Sequence, residues 1–301
     1  MPILKLISDA IYDNDYLRDI LSIICEYVPH KQRVFCGYGY SAVLKDDGTI
    51  YPWGYDRVSS TPKESGFIKV SAGRWHSITL KDDGTLHSWG SNENDQISKT
   101  PKESGFVEVS AGELHFVALK DDGTLHSWGY DGHGRVSDTP KESGFISASS
   151  GSKHSVALKD DGTLHSWGWD EYGQVSNTPK ESGFISVSAG RNHSVALKDD
   201  GTLHSWGYDE NSQVSNTPKE SGFIQVSSGG YHSVALKDDG TLHSWGNDAD
   251  GLVSDSPKGS GFIEVSEGEW HCIALKDNGA LHSWGDNTYG LVSKTPESIY
   301  F

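Results

Sequence analysis

Histidine, serine and aspartate recur through this chain at fixed intervals. Twelve of the fourteen histidines fall into two in-phase sets. One is His76, His115, His154, His193, His232 and His271; the other is His87, His126, His165, His204, His243 and His282. Paired carboxylates recur as Asp46-Asp47, Asp82-Asp83, Asp121-Asp122, Asp160-Asp161, Asp199-Asp200 and Asp238-Asp239. Such residues could ligate zinc, build a nucleophilic triad or bind cations. Spacing argues against each. A hairpin centred on Asp200 would set His204 opposite Ala196, about 10 Å along the strand from His193. Two ligands of one zinc must both approach it to about 2 Å. A triad needs one asymmetric constellation, whereas these residues repeat, and within the repeats only His133 stands apart. Asp before Gly is turn chemistry, and no turn has the ligand spacing of a dedicated calcium loop. The expectation is a protein without catalytic residues, metal or cofactor.

The elements that carry these residues are short strands. In Gly190 to Gly207, Val195-Ala196-Leu197 and Leu203 to Trp206 suit half-buried strands. Asp199-Asp200-Gly201 between them is hairpin chemistry, with Gly at a positive φ. One hairpin is barely stable alone. Here it is copied: Trp-Gly pairs stand at Trp53, Trp89, Trp128, Trp167, Trp206, Trp245 and Trp284, every step 39 residues except the first, which is 36. Units of this length, with strand signals and dense Gly, Pro, Ser and Asp, predict a ring of small sheets and exclude helical repeats.

The pattern Ala-Gly-x-x-His-Ser-x-Ala-Leu-x-x-Asp-Gly-x-Leu-x-x-Trp-Gly, best at Ala189 to Gly207, resembles the repeat of the regulator of chromosome condensation (RCC1) family. The resemblance covers residues from about 33 to the end. It implies an all-β, seven-bladed β-propeller over 33–301, with the His-Ser histidines structural and hydrogen-bonded between strands. The family's namesake exchanges nucleotide on a small GTPase and binds chromatin, so a small GTPase is one implied partner. The chain has no inserted wedge in any blade, and its acidic balance is wrong for chromatin. Each blade reads as four strands: A (Phe184 to Ala189), B (His193 to Lys198), C (Thr202 to Trp206) and a short D (Val214 to Thr217). Thr-Pro before Lys-Glu-Ser suits an outer edge strand. If the stretch after each Trp-Gly belongs to the next blade, the C-terminal tail completes the first blade and closes the ring.

Residues 1–32 lie outside the repeat. Leu17, Ile20, Leu21, Ile24 and Val28 recur at helical spacing, with Asn14 or Asp15 to cap the start and Pro29 to end it. This predicts a short N-terminal helical extension, packed on the propeller edge or used for dimerisation. Asp9 to Val28 also resembles part of an F-box, though shorter and without its opening Leu-Pro. A formal net charge of -17 argues against DNA or RNA as partner. Three cysteines, Cys25, Cys36 and Cys272, form no disulfide framework and favour a reducing compartment. No stretch has the apolar length of a membrane span. The expected location is cytoplasmic, with no membrane contact.

In an up-and-down blade the A–B and C–D loops emerge on one face, the B–C and D–A loops on the other. The B–C turn is Lys-Asp-Asp-Gly in six units, and the D–A connection is nearly invariant as Thr-Pro-Lys-Glu-Ser-Gly-Phe. Variation concentrates in the A–B windows, such as Arg74-Trp75, Arg191-Asn192, Gly230-Tyr231 and Glu269-Trp270, and in the C–D windows, such as Tyr130 to Gly134, Trp169 to Gly173, Tyr208 to Ser212 and Asp286 to Gly290. A framework held uniform while one face diversifies predicts a recognition surface. Trp, Tyr and Arg dominate interface energetics. The expected partner-binding residues are Arg74, Trp75, Tyr130, His133, Trp169, Tyr172, Arg191, Asn192, Tyr208, Tyr231, Trp270 and Tyr289. The partner is expected to be a protein; a glycan is the alternative such aromatic loops also suit.

Overall fold

Period-two alternation and the Asp-Gly turns give each unit three antiparallel strands in the order inner, middle, outer. The computed structural model describes residues 32–55 and 60–300, so the helical reading of residues 1–32 lies almost wholly outside the described residues. Seven three-stranded sheets follow one another along the chain. Numbering the strands β1 to β21 in chain order, the best-formed sheet has β13 (Phe184–Ala189), β14 (His193–Lys198) and β15 (Leu203–Gly207). Its register places Ala196 opposite His204, as the hairpin chemistry predicts. Gly201 at the turn adopts φ 77°, and the Asp200 carboxylate accepts from the Thr202 amide and hydroxyl at 2.9 and 2.6 Å. The carboxylate before each hairpin Gly thus serves the turn itself.

The expected fourth strand is not formed. Where strand D was placed, Val214 to Thr217 coils into a turn: the Asp209 carboxylate accepts from the amides of Val214 and Ser215 at 2.7 and 2.8 Å. The Asn216 amide donates to the Ser212 carbonyl, and Thr217 to Val214. A short acidic side chain that satisfies amides locally competes with a sheet ladder for them. Pro218, which follows, has no amide to offer a ladder. The blades therefore have three strands and a turn, and the Thr-Pro linker is not an edge strand.

The core lies between the sheets. Val156 and Leu158 of one blade pack on Phe184, Val187, Ala196 and Trp206 of the next, and the pattern recurs around the ring. Middle strands such as β14 are buried over their first five residues, because sheet neighbours flank them and adjacent blades cover both faces. Hydrogen bonds also cross between blades. The Trp206 indole donates to the Gln174 carbonyl at 2.9 Å, as Trp128 does to Gln96 and Trp245 to Gln213. Ser149 accepts from the Ala189 amide at 3.0 Å.

Seven glycines at the ends of the inner strands permit the closest approach. A Cβ on Gly37, Gly73, Gly112, Gly151, Gly190, Gly229 or Gly268 would sit 2.2–2.9 Å from the carbonyl oxygen of the next glycine in the circle. The circle closes at Gly268 against Gly37. The same seam is bridged by the Trp53 indole, which donates to the Leu291 carbonyl at 2.9 Å, and by a cluster joining Val34, Val43 and Trp53 to Ile273, Leu275 and Ile299. The tail divides its role. Its turn docks on the first blade, while Ser298 pairs back with Ala280 of the last.

Candidate interaction face

Backbone geometry pins the two variable windows of each blade together. The second A–B residue offers its carbonyl to the amide that opens the C–D window: Ser91 to Trp75 at 2.7 Å, Trp169 to Lys153, Tyr208 to Asn192 and Asn247 to Tyr231 at 2.9 Å, Asp286 to Trp270 at 2.7 Å. The divergent segments therefore share one end of every blade, and the uniform Asp-Gly hairpins lie at the other end of the same strands.

Each C–D window is a turn organised by its second residue. Asp170 accepts from the amides of Val175 and Ser176, and Asn92 and Asn287 do the same in their blades. Those amides hold the Asp131, Asp170, Asp209 and Asp248 carboxyls below the usual range. Burial opposes the amides at Asp170 and Asp209. The tight turn forces His133, Asp250 and Tyr289 to positive φ, +66°, +56° and +66°. Left-handed backbone is costly for residues with a Cβ, about 1–2 kcal/mol.

The side chains so placed meet one another. His133, Trp169, Tyr172, Tyr208, Tyr231 and Trp270 form an arc, ring to ring, with successive centroids 6.0, 5.2, 4.8, 6.1 and 5.7 Å apart. Trp75 and Tyr289 belong to a second group, joined through Tyr55, which lies 6.4 Å from Trp75 and 4.4 Å from Tyr289. Arg191 stacks over Tyr231 at 5.3 Å and pairs with Glu269; Arg74 stacks over Trp75 at 5.7 Å and pairs with Glu113. Glu269 is raised above the usual carboxylate range by burial, against the pull of both arginines. Two expected residues stand apart. Tyr130 lies under Arg135 at 4.7 Å, without a ring contact to the arc among the described residues, and Asn192 is half-buried with its carbonyl spent on Tyr208.

Sequence reasoning passed over Tyr38 and Tyr55, in the irregular first unit. Their signal is positional: Tyr38 follows the Gly of the circle as Arg74 does, and Tyr55 follows Trp53-Gly54 as Tyr208 follows Trp206-Gly207. Glu113 and Glu269, which stand in the variable A–B windows, are the anionic partners of Arg74 and Arg191.

The repeated histidines do not form a site. His115, His154 and His193 each place Nε2 2.8 Å from the hydroxyl of Ser155, Ser194 and Ser233. These bonds run between strands, as the family resemblance implies, and the strands they join are the middle strands of neighbouring blades. Burial depresses His154 to about 3 and His193 to about 4, so both rings are neutral. The second set packs edge-on against phenylalanine, as His204 does on Phe184 at 5.5 Å.

The model of the regulator of chromosome condensation (RCC1) repeat matches residues 67–96, 106–135, 145–174, 184–213, 223–251 and 262–291. No curated protein matches the chain. Among solved structures, the ectodomain of the Arabidopsis thaliana receptor kinase ACR4 is 22% identical with a TM-score of 0.74, covering 89% of this chain and 98% of that one. The ectodomain of the Physcomitrella patens receptor kinase CR4 is 22% identical at a TM-score of 0.73, covering 85% and 73%. Prp20p from Saccharomyces cerevisiae, described with its binding to Gsp1p and histones, is 19% identical at 0.64, covering 81% and 83%. Identities this low speak to the fold alone. Six repeat matches spanning more than half of the chain, on seven in-phase sheets, make this protein a member of the RCC1 repeat family.

Proposed function

We propose that the protein is a non-enzymatic interaction module that binds a protein partner through the face carrying the variable windows. The observation that carries this reading is the arc of exposed and half-buried aromatic rings from His133 to Trp270, built from windows of different blades. Tyr130, Tyr172 and Tyr289 remain 39–48% exposed, where large rings are costly to leave in water. Positive φ at His133 and Tyr289 supports the same reading, since strain retained in non-Gly loop residues marks sites selected for something besides stability. The non-enzymatic part is supported by inner-set histidines such as His154 and His193, which are buried, neutral and engaged between blades.

The experiment is affinity capture with mass spectrometry, repeated with Trp75→Ala, Trp169→Ala, Tyr231→Ala and Trp270→Ala. Each is expected to weaken capture by about tenfold or more, the range of an interface anchor, with an unchanged melting profile for all but Trp270→Ala, whose ring also packs on the core of the last blade. Full capture by all four variants overturns the site. The related fold of Prp20p motivates one further assay, nucleotide release from a panel of small GTPases. We expect no acceleration.

The buried free thiols Cys36 and Cys272 support a reducing, intracellular location. No helix among the described residues is long and apolar enough to cross a membrane.

A further inference from the structure

The two charged faces are built differently. On the hairpin face, carboxylates alternate with lysines and pair with them: Lys198 meets Glu181 at 3.4 Å, Lys159 meets Glu142 at 3.3 Å and Lys120 meets Glu103 at 3.5 Å. On the opposite face the C–D windows of the second to seventh units each carry Asp or Glu, and none carries Lys or Arg. The cations of the A–B windows are already engaged, Arg74 with Glu113 and Arg191 with Glu269, while Lys153 lies over Trp169 at 4.2 Å. Beside the windows, Lys99 pairs with Asp95 at 3.1 Å and Arg135 lies over Tyr130 at 4.7 Å, but among the described residues no lysine or arginine pairs with Glu171 or Glu210 along the arc.

The aromatic arc crosses that charge. Its rings accept cations where the chain supplies them, as Lys153 on Trp169 and Arg191 on Tyr231 show. Over Tyr172, Tyr208 and Trp270 no cation lies among the described residues. Glu210 stands beside Tyr208, accepting its hydroxyl at 2.5 Å, and exposed Glu171 adjoins Tyr172 in sequence. A ring face with a carboxylate beside it suits an ammonium or guanidinium group, the ring taking the apolar stem and the quadrupole while the carboxylate takes the charge.

We infer that the segment of the partner seated on the arc is a Lys/Arg-rich stretch of polypeptide, its cationic side chains over Tyr172, Tyr208 and Trp270 and its charge met by Glu171 and Glu210. The inference rests on the proposed role of this face and names the chemistry of its occupant. Charge complementarity selects it over an acidic or apolar segment, which would bury those carboxylates uncompensated. A glycan would use the rings but gain little from the charge.

The probe is a fluorescein-labelled peptide of alternating Lys/Arg and Ser, compared with a Gln/Ser peptide of equal length by fluorescence anisotropy against the whole chain. The basic peptide is expected to bind at least tenfold tighter, a difference of about 1.4 kcal/mol, and to weaken as salt rises. Tyr208→Ala and Trp270→Ala should each cut its affinity several-fold. Glu171→Gln with Glu210→Gln should do the same and flatten the salt dependence, without moving the melting profile. Asp82→Asn with Asp199→Asn on the hairpin face should change nothing. Equal loss from the hairpin-face pair would assign the binding to net charge and overturn the inference, as would equal binding of the two peptides. A captured partner lost in the Trp270→Ala variant but not displaced by excess basic peptide would leave the recognition face standing and still overturn this inference.

Discussion

Trp206 does two things at once. Its ring fills the space between blades, and its indole N–H satisfies the Gln174 carbonyl of the turn before it. Trp206→Phe keeps most of the apolar contact and orphans a buried carbonyl, so a loss of about 1–3 kcal/mol is expected in chemical denaturation. The histidines show the same economy. In the inner set His115, His154, His193 and His271 sit buried against a serine hydroxyl of the next blade, His76 packs edge-on against Phe116, and Cys272 replaces the serine beside His232, with its sulfur 3.0 Å from His232 Nε2. Burial pushes the Cys272 thiol far above its ordinary value, so it packs as a small apolar group rather than as a nucleophile.

At the scale of the element, the C–D turn decides what each blade presents. Its second residue, Asp or Asn, ties down two amides, and in the windows anchored by Asp131, Asp248 and Asn287 the path leaves His133, Asp250 and Tyr289 in left-handed backbone. His133→Gly should relieve that conformation and raise stability by about 0.5–1 kcal/mol. The same change removes the ring 6.0 Å from Trp169 and should weaken capture of the partner. Thermal melts and capture of this variant check both. A gain in stability with undiminished capture would show that the strain serves no recognition.

At the scale of the molecule, the last blade carries two acids withdrawn from solvent, Glu264 at the seam with the first blade and Glu267 beside Ser227 of the sixth. Burial raises Glu264 to about 7, despite the amides of Arg33 and Val34 that it accepts, and raises Glu267 to about 8 despite nearby Ser227. The folded chain thus binds these protons more tightly than the unfolded chain. Their stabilising contribution is complete below pH about 4.5 and is lost as pH rises through about 8. The buried histidines act oppositely. His154, His193, His232 and His271 fall from 6.5 to about 3 or 4, so stability is lost as pH drops below about 6.5. The melting temperature should therefore peak near pH 6.5 and decline toward pH 8. Glu267→Gln should flatten the alkaline decline while leaving the acid one in place.

The period of the Trp-Gly pairs, the Asp-Gly turns and the apolar middle strands are local signals, and by themselves they determined seven antiparallel units, the hairpin register at Ala196 and His204, and the division into uniform and variable segments. Local signals failed at Val214 to Thr217, where a β-favouring Val lost to the Asp209 carboxylate: strand preference is weak, and a side chain able to bind its own backbone outcompetes it. Other features needed the fold because they join residues one or two repeats apart. The inter-blade His-Ser bonds, the circle of glycines, the pairing of Arg191 with Glu269 two blades away and the arc that threads Tyr172, Tyr208 and Tyr231 exist only once the ring closes. Sequence spacing carries the periodicity of one unit, while the curvature that brings neighbouring units into contact is set by how their faces pack.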